Sequence, residues 1–157
     1  MEKLRRSIAG LSVMALLTSV VGFGAIAQAQ TFSDVDTDHW AYTHVEDLAA
    51  AGVVDGYDDG SFGCDDTADR ASFSKMVALA FSFDTETDYD AGFTDVDADA
   101  WYAPHVNALA QSGVVEGYTD ADGVATGEFG PGDNVNRAAA SKMLVEAAGL
   151  ETDTTMG

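Results

Sequence analysis

Residues 31–81 read TFSDVDTDHWAYTHVEDLAAAGVVDGYDDGSFGCDDTADRASFSKMVALAF, and from residue 93 the chain says the same thing again: FTDVDADAWYAPHVNALAQSGVVEGY restates FSDVDTDHWAYTHVEDLAAAGVVDGY. Phe32, Trp40, Gly52 and Gly56 are answered by Phe93, Trp101, Gly113 and Gly117 at a constant spacing, since 93 − 32 and 117 − 56 both give 61. Past the glycines the spacing is 67, since 129 − 62 and 137 − 70 pair Phe62 with Phe129 and Arg70 with Arg137. The second copy therefore carries an insertion of six residues (67 − 61) around ADGVATGE. A repeat of this size is one supersecondary unit that cannot bury its apolar face alone and is stabilised by its neighbour.

The periodicity predicts an all-α chain of tandem helix-loop-helix units. Trp40, His44, Val45 and Leu48 recur at helical spacing, with Asp38 placed to cap the start and Gly52 to end the last turn. Asp99, Trp101, His105, Val106, Leu109 and Gly113 repeat the pattern, and Pro104 puts the regular helix start near itself, with Trp101 and Tyr102 in the approach. The second helix of each unit starts behind Asp69 or Asn136 as cap. Its core stripe is Phe73, Met76, Val77 and Ala80, matched by Ala140, Met143, Leu144 and Ala147. Glycine-punctuated loops join the helices, each pinned back by Phe62 or Phe129.

The resulting organisation is a signal peptide over 1–29, a first unit over 31–81, an acidic linker over 82–92, a second unit over 93–148 and a polar tail over 149–157. Lys3, Arg5 and Arg6 precede an uncharged apolar run from Ile8 to Ile26, and Ala27-Gln28-Ala29 offers the small-x-small pattern of a cleavage site. A retained anchor is the alternative reading of that run. With cleavage, the remaining chain is expected to be exported, with no integral membrane segment.

The whole chain has 7 basic and 27 acidic residues, a net −20; without Glu2, Lys3, Arg5 and Arg6 it has 4 and 26, a net −22. Such a chain repels nucleic acid and anionic lipid, and repels itself unless salt or divalent cations intervene. The lone Cys64 cannot form an internal disulfide, and its counterpart is Pro131, as befits an ordinary loop position. There is no nucleophile motif, no HExxH, no phosphate-binding glycine loop and no metal-ligand cysteine set, so an enzyme is not expected.

After signal removal the only basic residues are Arg70, Lys75, Arg137 and Lys142, the same arginine-then-lysine spacing in each unit. An arginine in a first helical turn meets the positive end of the dipole and calls for an anion. Free backbone donors and a guanidinium there suit a carboxylate held by two bonds. Ion pairing with this chain's own carboxylates is the other reading. The aspartates alternate in DVDTD and DVDAD, and Asp120-Ala121-Asp122-Gly123 begins as a calcium loop does, which makes Asp120 and Asp122 the candidate ligands of a calcium ion. None of the runs closes with the expected glutamate, and capping or solvation accounts for most of them.

The order FSDVD, then HWAYTHVEDLAAAGVVDGYDDGSF, then DRASFSKMVALAF resembles the S-layer homology repeat, twice over. That resemblance implies non-covalent anchoring to a bacterial cell wall or S-layer by repeats that bind secondary cell-wall polysaccharide, often carrying pyruvate ketals. No cofactor is required. Carried over position by position, the glycan-binding residues fall on Arg70 and Arg137, on Gly56, Tyr57, Gly117 and Tyr118 of the loops, and on Trp40 and Trp101; Lys75 and Lys142 join them as the other surviving cations. The family's TRAE-type helix start reads DRAS and NRAA here, so Asp69 and Asn136 replace its threonine while Ser72 and Ala139 replace its glutamate. Three repeats commonly assemble in the family and only two are present, so association of copies, or with another protein of the family, would complete a three-helix bundle. A surface protein assembled by calcium-bridged carboxylates, without glycan specificity, is the competing reading. For Trp40 and Trp101, core packing is the alternative to stacking on a sugar.

Overall fold

The structure, a computed structural model, describes residues 30–150. The leader expected over 1–29 and the tail from 151 lie outside the described residues. Four helices carry the fold: α1 (Tyr42–Ala50), α2 (Arg70–Ala80), α3 (Ala103–Gln111) and α4 (Arg137–Ala147). Among the described residues the only β-pairing is two isolated bridges, Asp69 with Asn134 and Thr119 with Ala125. The second of these closes the insertion into a small hairpin, in which the Thr126 N–H donates to the Tyr118 carbonyl at 2.8 Å and the Asp120 N–H to that of Val124 at 2.9 Å.

The helix ends follow local chemistry, with one correction. Asp69 accepts the Ser72 N–H at 2.7 Å and Asn136 accepts that of Ala139 at 2.9 Å, which satisfies orphan donors at the starts of α2 and α4. Asp38 and Asp99 do not cap α1 and α3, whose N-caps are Ala41 and Tyr102 without any side-chain bond. The chain makes a separate turn first: the His39 N–H reaches the Asp36 carbonyl at 2.8 Å and the Tyr42 N–H that of His39 at 2.9 Å, and Ala100 and Ala103 repeat this on Asp97 and Ala100. Asp38 and Asp99 lie within that turn, too early to cap the helices. Pro104 lies in the first turn of α3, where its missing N–H costs nothing.

The same turn overturns a core role for the tryptophans. Trp40 and Trp101 sit in it rather than on the helices, and Trp40 is 84% exposed.

Two apolar cores form. Phe32, Val35, Val45, Val53 and Val54 make the first, with Phe62, Met76 and Leu79 packed against it. Val106, Leu109, Val114, Val115, Phe129 and Met143 make the second, together with Val77 and Ala78 from α2. Helix α2 therefore serves both units, presenting Met76 and Leu79 to its own and Val77 and Ala78 to the next, and α3 is its nearest helical neighbour. This corrects the expected single stripe: Ala80 is exposed, while Ala71 and Ser74 are buried. Helix α4 buries only Met143, leaving Leu144 43% exposed. The segment 82–92 is pinned at several points. Phe83 packs against the second core, the Ala91 N–H donates to Asn107 Oδ1 at 3.1 Å, and Thr87 bonds Gln111 at 3.0 Å.

Candidate functional site: two grooves at equivalent loops

Each unit carries a groove between its loop and its second helix, and the two grooves are built from corresponding residues. In the first unit it is lined by Val53 to Tyr57, Lys75 and Met76, with Trp101 reaching over from the second unit, and encloses about 730 Å³. In the second unit Val114 to Gly117, Lys142 and Met143 repeat that lining around about 160 Å³. The difference is Arg70, which lines the smaller groove from the unit before it.

The loops are held by an aspartate that sequence reading assigned to solvent or to calcium. Asp34 accepts the N–H groups of Phe62 at 2.6 Å and Gly63 at 2.8 Å, and Asp95 accepts those of Phe129 and Gly130, both at 2.7 Å. The Phe62 N–H foremost holds the Asp34 carboxyl below its ordinary range. Gly56 and Gly117 shape the loops by close approach. A Cβ on Gly56 would stand 2.4 Å from the Phe32 ring, and one on Gly117 would stand 2.6 Å from the Glu128 carbonyl oxygen. These glycines are structural parts of the groove wall.

Arg70 crosses from α2 into the second unit. Its Nε donates to the Phe129 carbonyl at 2.8 Å and its Nη2 to that of Glu116 at 3.4 Å; the guanidinium carbon lies 4.5 Å from the Phe129 ring centroid and 4.9 Å from that of Tyr118. Tyr118 is fixed in turn by its hydroxyl, which donates to Asp133 at 2.9 Å; burial and this bond push its phenol up. In the first unit no arginine lies above Tyr57 among the described residues, and the charge of Asp66 foremost raises its phenol.

Neither arginine forms an ion pair among the described residues. It is the lysines that pair. Lys75 bonds Asp55, with its Nζ 5.9 Å from the Trp101 ring centroid, and Lys142 lies 3.5 Å from Glu116.

The sequence-predicted residues thus divide. Gly56, Tyr57, Lys75 and Trp101 come together in the first groove, and Arg70, Gly117, Lys142 and Tyr118 in or beside the second. Arg137 and Trp40 belong to neither: Arg137 is exposed at the start of α4, and Trp40 stacks on His39 with ring centroids 5.6 Å apart. Asp120 accepts the N–H groups of Asp122 at 3.0 Å and Val124 at 2.9 Å, so its carboxylate braces the hairpin. Asp122 is exposed, and no cluster of three ligating side chains gathers among the described residues. Reading by sequence missed Asp34, Asp95, Asp66 and Asp133. Their signal was recurrence at the repeat spacing rather than residue type.

The family model described as S-layer homology domain matches residues 31–74 and 92–141. The chain is 33% identical over 151 residues to a Surface-layer 125 kDa protein of Lysinibacillus sphaericus, covering 96% of this chain and 12% of that protein. It is 32% identical over 142 residues to an uncharacterized cell wall amidase of Bacillus anthracis, covering 89% of this chain and 25% of that one. The S-layer protein EA1 of Bacillus anthracis is 29% identical over 147 residues, covering 94% of this chain and 16% of its own length. The chain spans a quarter or less of each of these relatives.

Proposed function

The chain belongs to the S-layer homology domain family, in two tandem repeats, and on that premise we propose that it is an exported cell-surface anchor that binds a carboxylate-bearing cell-wall polysaccharide at the groove where Arg70 and Lys142 meet. The observation that carries this reading is the state of Arg70. It is oriented by two carbonyl acceptors and two aromatic rings and has no carboxylate partner among the described residues. Its remaining guanidinium donors are available to a planar acid, and Lys142 lines the same groove. A pyruvate ketal on a sugar presents such an acid. In the larger groove the exposed Trp101 offers a face on which a sugar ring stacks. The relatives' names, surface-layer and cell wall proteins, support a place at the cell surface. The amidase is matched over a quarter of its length, which suits a targeting module carried by proteins of differing activity rather than a catalytic one.

The test is co-sedimentation of the processed chain with purified sacculi before and after acid extraction of their polymers. Retention that requires the polymers and falls at least tenfold in Arg70→Ala and Lys142→Ala is the expected result. Loss on chelation, with both variants still bound, would replace this reading with assembly bridged by calcium.

A further inference from the structure

The joint between the two units specifies a second joint that the single chain leaves unmade. Inside the chain, the first unit meets the second through three elements. Val77 of α2 is 2% exposed against the core holding Leu109 of α3, itself 0% exposed. Arg70 lies on Phe129 and Tyr118, and its N–H donates to the Asp133 carbonyl at 2.9 Å. Trp101 stands over Lys75.

Moving along the repeat gives the counterpart of each element, and each counterpart is present and open. Leu144 occupies the place of Val77 on α4 and is exposed, with Ser141 beside it exposed where Ser74 is buried. Leu48 occupies the place of Leu109 and is 37% exposed. Arg137 repeats Arg70 and touches no aromatic ring among the described residues, while the groove at Tyr57, which would receive it, is the roomy one. Among the described residues Lys142 repeats Lys75 without a ring above it, and Trp40, 84% exposed, repeats Trp101 without a cation above it. The end of the second unit and the face of the first are complementary halves of an interface already seen once.

We propose that a second copy of this chain docks head to tail, its first unit on the second unit of its neighbour. Arg137 of one copy enters the groove above Tyr57 of the other and donates to the Phe62 carbonyl, Trp40 covers Lys142, and α4 covers Leu48. Charge agrees, because four of the groove's lining residues are Asp55, Asp58, Asp66 and Asp69, against the single cation Lys75. Asp47 stands where α3 has Ala108, so the joint between copies is more polar than the one within the chain and strengthens as salt screens the acidic surfaces. The interface is heterologous and either closes into a ring or propagates. None of this rests on the glycan reading.

The test is sedimentation velocity of the natively processed chain over a concentration series at low and high sodium chloride, without polymer. Wild type should associate with rising concentration, more tightly in salt. Arg137→Glu spoils only the tail and Leu48→Asp only the head, and each should weaken association at least about tenfold. An equimolar mixture of the two variants retains one good head and one good tail, so it should form a dimer and nothing larger. Circular dichroism establishes that both variants are folded, as expected for exposed positions. Monomeric wild type at every concentration and salt, variants that associate like wild type, or a mixture that stays monomeric would each overturn the proposal.

Discussion

Replacing Arg70 by lysine tests the joint between the units with the least disturbance of charge. The substitution removes the Nε bond to the Phe129 carbonyl at 2.8 Å and the planar contacts with two rings at 4.5 and 4.9 Å. A hydrogen bond from a charged donor contributes about 1.5–3 kcal/mol, and each ring about 0.5–1 kcal/mol. The 3.4 Å bond to Glu116 is long and weak and adds little to this sum. Lysine keeps the charge and much of the buried stem and so recovers some of the sum, leaving a loss of about 2 kcal/mol. With a urea slope of about 1.5 kcal/mol per molar, the unfolding midpoint falls by about 1.3 M. Arg137→Lys is the internal control: same helix position, no contact of this kind among the described residues, and an expected change within about 0.5 kcal/mol. The assay is urea unfolding followed by tryptophan fluorescence, at a concentration where wild type sediments as a monomer. Equal losses in the two variants would refute the reasoning, because the sequence motif rather than the contact would then set the cost.

Three further outcomes are expected. Asp95→Ala leaves the N–H groups of Phe129 and Gly130 without their carboxylate and should cost about 2–4 kcal/mol in the same assay. Ser74 is fully buried with an unpaired hydroxyl, so Ser74→Ala should raise stability by about 1 kcal/mol, whereas Ser141→Ala at its exposed counterpart should change little. Burial and then Lys75 hold His105 below its ordinary range, and its Nδ1 is buried without a partner. A depressed folded value means that the unfolded chain binds the proton more readily. The contribution is therefore complete above pH about 6.5 and is lost as pH falls from there through the folded value. Urea midpoints of wild type should drop across that window more steeply than those of His105→Asn, and parallel curves would exclude the histidine as the cause.

What was legible in the sequence was local. Asp69 and Asn136 cap the helices they precede, and Pro104 marks the start of α3, because each acts within a few residues of itself. Helical spacing alone misplaced Trp40, since it runs on through a turn that is not helix, whereas Pro104 kept Trp101 in the approach to α3. The site depended on contacts that no local pattern encodes. Arg70 meets Phe129 at a separation of 59 residues and Asp34 meets Phe62 at 28, so an arginine in a helix start and an aspartate in an acidic run gave no sign of their targets. The repeat did narrow the choice, because any residue recurring at 61 or 67 positions has two chances to show its role.

Helix α2 is buried on one side by its own unit and on the other by the next, so the boundary that the eye draws in the sequence, at the acidic stretch 82–92, is not the boundary of a folding unit. Because α2 belongs to both cores, cooperativity should run through it from one written repeat into the next. A cut or recombination at residues 82–92 would part Val77 and Ala78 from Leu109 and Phe129, and one within the exposed loop at Asp58 to Gly60 would part Phe32 from Phe62 and Met76, so neither exchanges a block with its packing intact.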